Sequence, residues 1–236
     1  MADSAAKPKF TPAPQYAGAR LLPEPLPASP FPILKGWLEE AEASGFTENA
    51  NAMTLCTVDP DGRPSARILL CKAIDADRGM ATFFTNRDSR KGVALRAHPF
   101  AAAVFHWDHL SVQARVEGPV TLANEAESDE YWRTRWIISR LGASVSEQSR
   151  PIASRAEMLR RVEAAAEQLG IPLDGSMNAD IPRPKNWGGY HIWADRVELW
   201  IGQPGRVHDR AEWRRTLTAD GDGFKAGEWS ATRLQP

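Results

Sequence analysis

Apolar and polar positions alternate along most of this chain with the period of two expected for strands, and short stretches of helical period interrupt them. Residues 32–44 read as an amphipathic helix. There Ile33, Leu34, Trp37, Leu38 and Ala41 fall on one face, with Pro32 in the first turn and Gly45 just past the end. Residues 53–58 and 65–72 are apolar β-formers joined by Asp59-Pro60-Asp61-Gly62-Arg63-Pro64, the turn chemistry of a hairpin. A third strand is expected at 80–85 and a short helix at 92–97, with Ser89 as its cap. Residues 100–107 and 110–122 form a second hairpin turning near Asp108 and His109. One helix is expected over 123–141, opened by Asn124 and Glu127 at capping-box spacing, and another over 153–169. A proline-rich connection follows at 171–185, then strands at 188–194, 196–202, 206–217 and 229–234, with 220–223 as a turn.

Six to eight strands linked mostly by hairpins, with a few helices attached, predict an antiparallel β-barrel of α+β class with peripheral helices. Residues 1–30, rich in alanine and proline, are expected to be a mobile arm, leaving 31–236 as one domain without internal repeats.

Composition narrows the picture. The 236 residues carry 29 basic and 30 acidic side chains, a formal charge of −1, so nothing global points to nucleic acid or an anionic membrane. A local anion site stays open. Cys56 and Cys71 lie in strand-like runs without metal-ligand spacing, which suggests buried thiols in a reducing compartment. The start lacks an apolar leader and no run approaches membrane-spanning length, so a cytoplasmic location is expected. Nine tryptophans suit packing, interfaces or flat ligands.

Three places carry candidate chemistry. If 206–217 is a strand, Arg206, His208 and Arg210 share one face, and three potential cations side by side call for an anion. A solvated strand edge is the alternative. Arg90 and Lys91 would stand in the first turn of the helix capped by Ser89, where cations oppose the helix dipole unless an anion is bound. Tyr131, Arg135 and Ser139 recur every four residues on the helix expected at 123–141, either as an ordinary polar face or as a phosphate grip. Gly221-Asp222-Gly223-Phe224-Lys225-Ala226-Gly227 has the wrong spacing for a dinucleotide fingerprint and reads as a turn. The five histidines offer no metal-ligand pair at helical spacing, and no metal is expected.

Taken in order, the segments 67–72, 84–91, Gln113 with 116–118, Gln148-Ser149, 187–190, 198–200, 206–210 and 233–236 are similar to the pyridoxamine 5′-phosphate oxidase family over about residues 31–236. The resemblance implies a split β-barrel that forms a homodimer, with FMN at the interface between subunits. It assigns FMN contacts to Arg67, Ile68, Leu69, Leu70, Cys71, Lys72, Phe84, Thr85, Arg90, Lys91, Gln113, Gln148, Ser149, Trp200 and Arg210. It assigns the substrate phosphate to Lys72, Tyr131, Arg135 and Ser139, and catalytic positions near the pyridine ring to Arg206 and His208. The implied reaction is oxidation of the C4′ amine or alcohol of pyridoxamine or pyridoxine 5′-phosphate by hydride transfer to the flavin, with dioxygen reduced to hydrogen peroxide. Arg67 and Lys72 are five positions apart, so an alternating strand cannot aim both the same way; they serve different groups or a bulge lies between them.

The chain differs from the family pattern at Ala13, three residues before Tyr16, at Val112 and Ile201, and in Trp136-Ile137-Ile138 between Arg135 and Ser139. Two other readings remain: a same-fold FMN oxidase acting on another flat aromatic, as phenazine-pathway relatives do, and a flavin or pyridoxal-phosphate binder without turnover.

Overall fold

Phe83 and Phe84 are sequence neighbours that belong to different cores, and this parting organises the fold. The computed structural model describes residues 20–177 and 179–236. Its elements begin with α1 (Phe31–Ser44), β1 (Ala52–Val58), β2 (Pro64–Leu70), β3 (Ala73–Asp75), β4 (Met80–Asn86), α2 (Arg90–Ala97), β5 (Phe100–Trp107) and β6 (Val112–Leu122). Three helices follow, α3 (Glu125–Thr134), α4 (Ile137–Val145) and α5 (Arg155–Leu169). The chain closes with β7 (Trp187–Trp193), β8 (Arg196–Ile201), β9 (Asp209–Arg214), β10 (Leu217–Asp220), β11 (Gly223–Ala226) and β12 (Ser230–Leu234).

All strands but β10 and β11 join one antiparallel sheet, ordered β12-β9-β8-β6-β5-β1-β2, with β7, β4 and β3 branching from β6. The branch makes the barrel split. Val112–Glu117 of β6 pair with β8, whereas Val120–Leu122 pair with β7, so the strand changes partner at Gly118-Pro119. A Cβ on Gly118 would run into the Trp193 carbonyl, so only glycine lets the two half-sheets approach this closely.

The barrel interior holds Phe83, Phe105, Leu55, Ile192, Leu199 and Trp213, all buried, and α1 closes it with Phe31, Leu34, Trp37 and Ala41. Those four sit at the helical spacing read from the sequence. Trp132, Ile137, Leu141, Ala166, Ile181 and Trp187 build a second core among α3, α4, α5 and β7, and Phe84 and Tyr131 lean on it. Because side chains alternate along β4, Phe83 stacks on Tyr190 inside the barrel while Phe84 stacks on Tyr131 and Trp187 outside it.

Several expectations change. Among the described residues twelve strands replace six to eight, because residues 217–220 and 223–226 form a separate hairpin and residues 73–75 pair with β4. Residues 206–208 are not strand. Pro204 offers no amide hydrogen, Gly205 (φ 68°) and Arg206 (φ 63°) turn the chain left-handed, and pairing resumes only at Asp209. The helix expected over 123–141 is two helices, broken at Arg135 and Trp136, whose ψ values of 144° and 138° are extended. A run of tryptophan and isoleucines there has weak helix propensity, and burying Ile137 in the second core favours the new axis.

Residues 20–30, expected to be part of a mobile arm, are held against the C-terminal strands. The Leu22 N–H donates to Asp209 Oδ2 at 2.7 Å, and the Pro27 carbonyl accepts from Trp213 Nε1 at 2.9 Å. Arg233 donates to the carbonyls of Leu22 and Pro23 at 3.2 and 3.1 Å. The rest of the expected arm, including Ala13 and Tyr16, lies outside the described residues. Among the described residues no helix is long and apolar enough to cross a membrane.

Candidate active site

A cleft of about 650 Å³ opens between the end of β2, the outer face of β4 and the α3–α4 break. Nine of the residues assigned from sequence line it: Leu69, Leu70, Lys72, Phe84, Thr85 and Gln148 from the cofactor set, and Tyr131, Arg135 and Ser139 from the phosphate set, with Lys72 in both. Tyr131, Arg135 and Ser139 do not share one helix face. Instead the break turns α4 so that the three still converge on the same cavity. The Arg67 and Lys72 side chains point to different places. β2 ends at Leu70, and the Lys72 N–H crosses to the Thr82 carbonyl at 2.7 Å, sending its side chain into the cleft, with Nζ 5.9 Å from the Tyr131 ring.

The inner wall is aromatic. Phe84, Tyr131 and Trp187 stack with ring centroids 4.1–6.1 Å apart and planes within 23° of parallel. The Arg135 guanidinium lies 4.8 Å above Trp187 and 5.3 Å from Trp132, and its buried Nη1 has no hydrogen-bond partner. Burial lowers its pKa. A buried guanidinium nitrogen left unpaired at a cleft wall is a strong call for an anion.

A second basic group flanks the first. Arg67 Nη1 donates to Leu55 O at 3.0 Å and Thr57 Oγ1 at 2.8 Å, and Nη2 donates to Ser65 Oγ at 2.7 Å, all neutral partners. Lys91 Nζ donates to Ser89 Oγ at 3.0 Å and Gln148 Oε1 at 2.8 Å, again neutral. Burial, with the nearby Arg67 charge, pulls the Lys91 ammonium down to about 8. Ser89 caps α2 as expected, accepting from the Gly92 N–H at 3.4 Å. Arg90 behaves otherwise. It is paired with Asp59 at 2.5 Å, which lowers the Asp59 pKa, while Lys91 and Arg67 make no ion pair of their own among the described residues, Arg67 feeling Asp59 only at longer range. Nothing local in the sequence marked Asp59, which reads as a turn residue. Arg90 and Ser149 line a neighbouring depression of about 430 Å³, and Ser149 is held at φ 74°. A non-glycine residue kept there stores strain of the kind found at binding sites. Ile68 points away from the cleft, 74 % exposed on the edge strand, and Cys71 is buried with its thiol pushed up to about 11. Cys56 is only half-buried.

The remaining candidates form a separate group. Strand register puts Gln113 of β6 beside Trp200 of β8, and Trp200 beside Arg210 of β9. His208 packs on Trp200 with centroids 4.7 Å apart, and its Nδ1 accepts from the Gln203 N–H at 3.1 Å. That hydrogen bond places the neutral ring's proton on Nε2. The cationic face expected for Arg206, His208 and Arg210 is not formed. Arg210 is neutralised by Glu198, whose carboxylate accepts from Arg210 Nε at 2.9 Å and Nη2 at 2.7 Å, and from Arg115 Nη2 at 2.6 Å. Arg206 is exposed on its turn, with no ion pair or hydrogen bond to another side chain among the described residues. Among the described residues no hydrogen bond, ion pair or ring contact joins this group to the cleft.

Two chemical features fit FMN. Arg67 and Lys91 form a partly buried cationic pair without a hydrogen-bonded carboxylate, suited to a phosphate, and Leu69, Leu70 and Phe84 provide apolar surface nearby. A phosphate on Lys91 would raise its pKa again, so binding takes up a proton once the pH exceeds about 8, the value in the free protein. The FMN dissociation constant is therefore expected to weaken about tenfold per pH unit above that point, and Lys91→Met should flatten the dependence. In the ligand-free protein the sign is opposite. Between about 8 and 10.5 the unfolded chain holds a proton that folded Lys91 lacks, so stability rises with pH across that window. Fluorescence titration with FMN at several pH values reads the first effect; an unchanged constant would mean that Lys91 does not meet the phosphate.

Comparison with known proteins places the chain in a family. Residues 39–169 match the family model described as pyridoxamine 5′-phosphate oxidase, and residues 187–236 match the pyridoxine 5′-phosphate oxidase C-terminal dimerisation region. A pyridoxine/pyridoxamine 5′-phosphate oxidase of Gluconobacter oxydans is 44 % identical over 211 residues, covering 89 % of this chain and 96 % of the relative. One from Ralstonia pickettii is 45 % identical over 221 residues, covering 94 % and 95 %. Among solved structures, PhzG from Burkholderia lata in complex with tetrahydrophenazine-1-carboxylic acid superposes with a TM-score of 0.76 at 28 % identity, covering 94 % of this chain and 96 % of that one. With the split barrel, the two half-sheets meeting at Gly118 and both segments matched in order, the chain belongs to the pyridoxamine 5′-phosphate oxidase family.

Proposed function

We propose that the protein is an FMN-dependent oxidase that converts pyridoxamine or pyridoxine 5′-phosphate to pyridoxal 5′-phosphate, with dioxygen reduced to hydrogen peroxide, and that it works as a homodimer. One observation carries this most: the cleft region has two separate cationic sets that make no ion pair among the described residues, Arg67 with Lys91 and Lys72 with Arg135, flanking an aromatic wall. Two phosphates and a flat ring satisfy it.

Arg67 and Lys91 hold the FMN phosphate, and Thr85 and Gln148, joined at 3.1 Å, border the same side of the cleft. Lys72, Tyr131, Arg135 and Ser139 bind the substrate phosphate. When bound, FMN would supply the redox chemistry needed to oxidise C4′ at the expense of dioxygen. The chain's own task is to orient the ring and manage protons. His208 bears its neutral-ring proton on Nε2 and can donate it to a substrate oxygen or nitrogen, and Arg206 holds the ring in place. Both lie on the turn between β8 and β9, apart from the cleft of their own chain. A second copy therefore supplies them, which the match to a dimerisation region over residues 187–236 supports.

An absorbance spectrum of the purified protein, followed by anaerobic addition of pyridoxamine 5′-phosphate, tests the proposal. The expected result is a yellow protein whose flavin bands bleach and return in air. A yellow protein that ignores the substrate would point to another aromatic, and a colourless one that takes up no added FMN would overturn the proposal.

A further inference from the structure

Trp136 is a large apolar side chain left 60 % exposed at the cleft, beside residues that grip the phosphate. The chain leaves helical geometry at Arg135 and Trp136, which carries the indole off the α3 axis. Arg135, one residue earlier, and Ser139, three later, line the same cavity. The indole is also braced from outside. A Cβ on Gly175 would come 2.7 Å from Trp136 Nε1 and 2.9 Å from Cζ2, so the ring edge rests against a bare Cα in the connection between α5 and β7. Gly175 sits at φ 75°, so its backbone conformation and this contact both require glycine. One side of the indole is thus fixed while much of the ring stays exposed. The opposite, inner wall is the stack of Phe84, Tyr131 and Trp187.

An exposed tryptophan has lost little by way of burial and gains little for the fold, so its value lies in what it meets. We propose that Trp136 is a specificity-determining residue for the oxidase reaction. Its indole forms the outer wall of the substrate half of the cleft, packs on a compact phosphorylated pyridine, and excludes substrates whose amine carries a bulky substituent. This rests on the oxidase reading of the cleft.

The test uses FMN-loaded wild type, Trp136→Ala and Trp136→Phe. Calorimetry reads pyridoxal 5′-phosphate binding, and steady-state kinetics read pyridoxamine 5′-phosphate against its N-benzyl derivative. Loss of one aromatic contact is expected to raise the Kd and KM about tenfold in Trp136→Ala, more than kcat falls. The preference for the unsubstituted amine should shrink by a similar factor, and Trp136→Phe should recover most of both. Unchanged binding in Trp136→Ala, or a phenylalanine variant no better than alanine, would overturn the assignment while wild-type turnover left the oxidase reading standing. A wild type that neither binds pyridoxal 5′-phosphate nor oxidises the amine would overturn both.

Discussion

Replacing Glu198 by alanine is expected to cost the protein more than any other single change to a charged side chain of the C-terminal group. Glu198 is 3 % exposed and sits between Arg115 and Arg210, accepting from both. Removing it leaves the Arg210 guanidinium partly buried without its carboxylate and takes one of two from Arg115, which keeps Glu117. Breaking a buried pair by deleting one partner costs about 3–5 kcal/mol, toward the lower end here because both arginines are more than a quarter exposed. For a chain of this length that is a fall in Tm of roughly 6–20 °C. Arg210 also loses the carboxylate that fixes its fork beside Trp200, so FMN affinity is expected to fall with stability. Thermal denaturation and FMN titration of Glu198→Ala and Glu198→Gln measure the two effects. Glutamine keeps the shape and one acceptor, so it should lose less stability than alanine. Wild-type Tm in both variants would show that solvent already compensates the two arginines.

Arg206→Ala is expected to behave in the opposite way, losing turnover without losing fold. Arg206 is exposed and held at φ 63°, and it makes no ion pair among the described residues, so its side chain supports nothing in its own chain. Exposed changes of this kind usually shift stability by no more than about 0.5 kcal/mol. If its guanidinium positions the substrate ring, kcat/KM should drop about a hundredfold, the scale of losing one orienting contact. FMN content should persist. Arg206→Lys keeps the charge and loses the planar fork, so only partial activity should return. The left-handed backbone adds a second expectation: Arg206→Gly should be slightly more stable than Arg206→Ala, since glycine adopts that conformation without strain. Steady-state kinetics beside flavin absorbance separate these outcomes. Loss of FMN in Arg206→Ala would place this residue in the cofactor site instead.

The contrast between these two residues mirrors what could and could not be read along the chain. Where a feature is set by neighbours within a few positions, the reading matches the structure. The Ser89 and Asn124 caps are side chains accepting from backbone N–H groups three residues on, the helix stop at Gly45 is a left-handed residue whose N–H meets the Glu42 carbonyl, and the turn between β1 and β2 closes within its own few residues. The period-two pattern likewise placed most strands of the sheet, since alternation is local geometry. The family resemblance named residues that the fold distributes between the cleft, its basic flank and the C-terminal strands.

Tertiary contacts decided the rest. Arg206, His208 and Arg210 alternate correctly for a strand face, yet Pro204 and Gly205 turn the chain, and a buried carboxylate from β8 neutralises Arg210. Glu198 and Arg210 are twelve residues apart, and only the antiparallel register of β8 on β9 brings them together. Asp59 meets Arg90 across 31 positions, and no local pattern announces that pair. The helix break at Arg135 follows from burial of Ile137 in a core shared with α5 and β7, which no window of α3 and α4 alone contains. Local order thus sets which residues can form elements. Which cations stay uncompensated, and so can receive phosphates, is settled by carboxylates that the fold delivers from distant strands, because an ion pair depends on separation in space and is blind to separation along the chain.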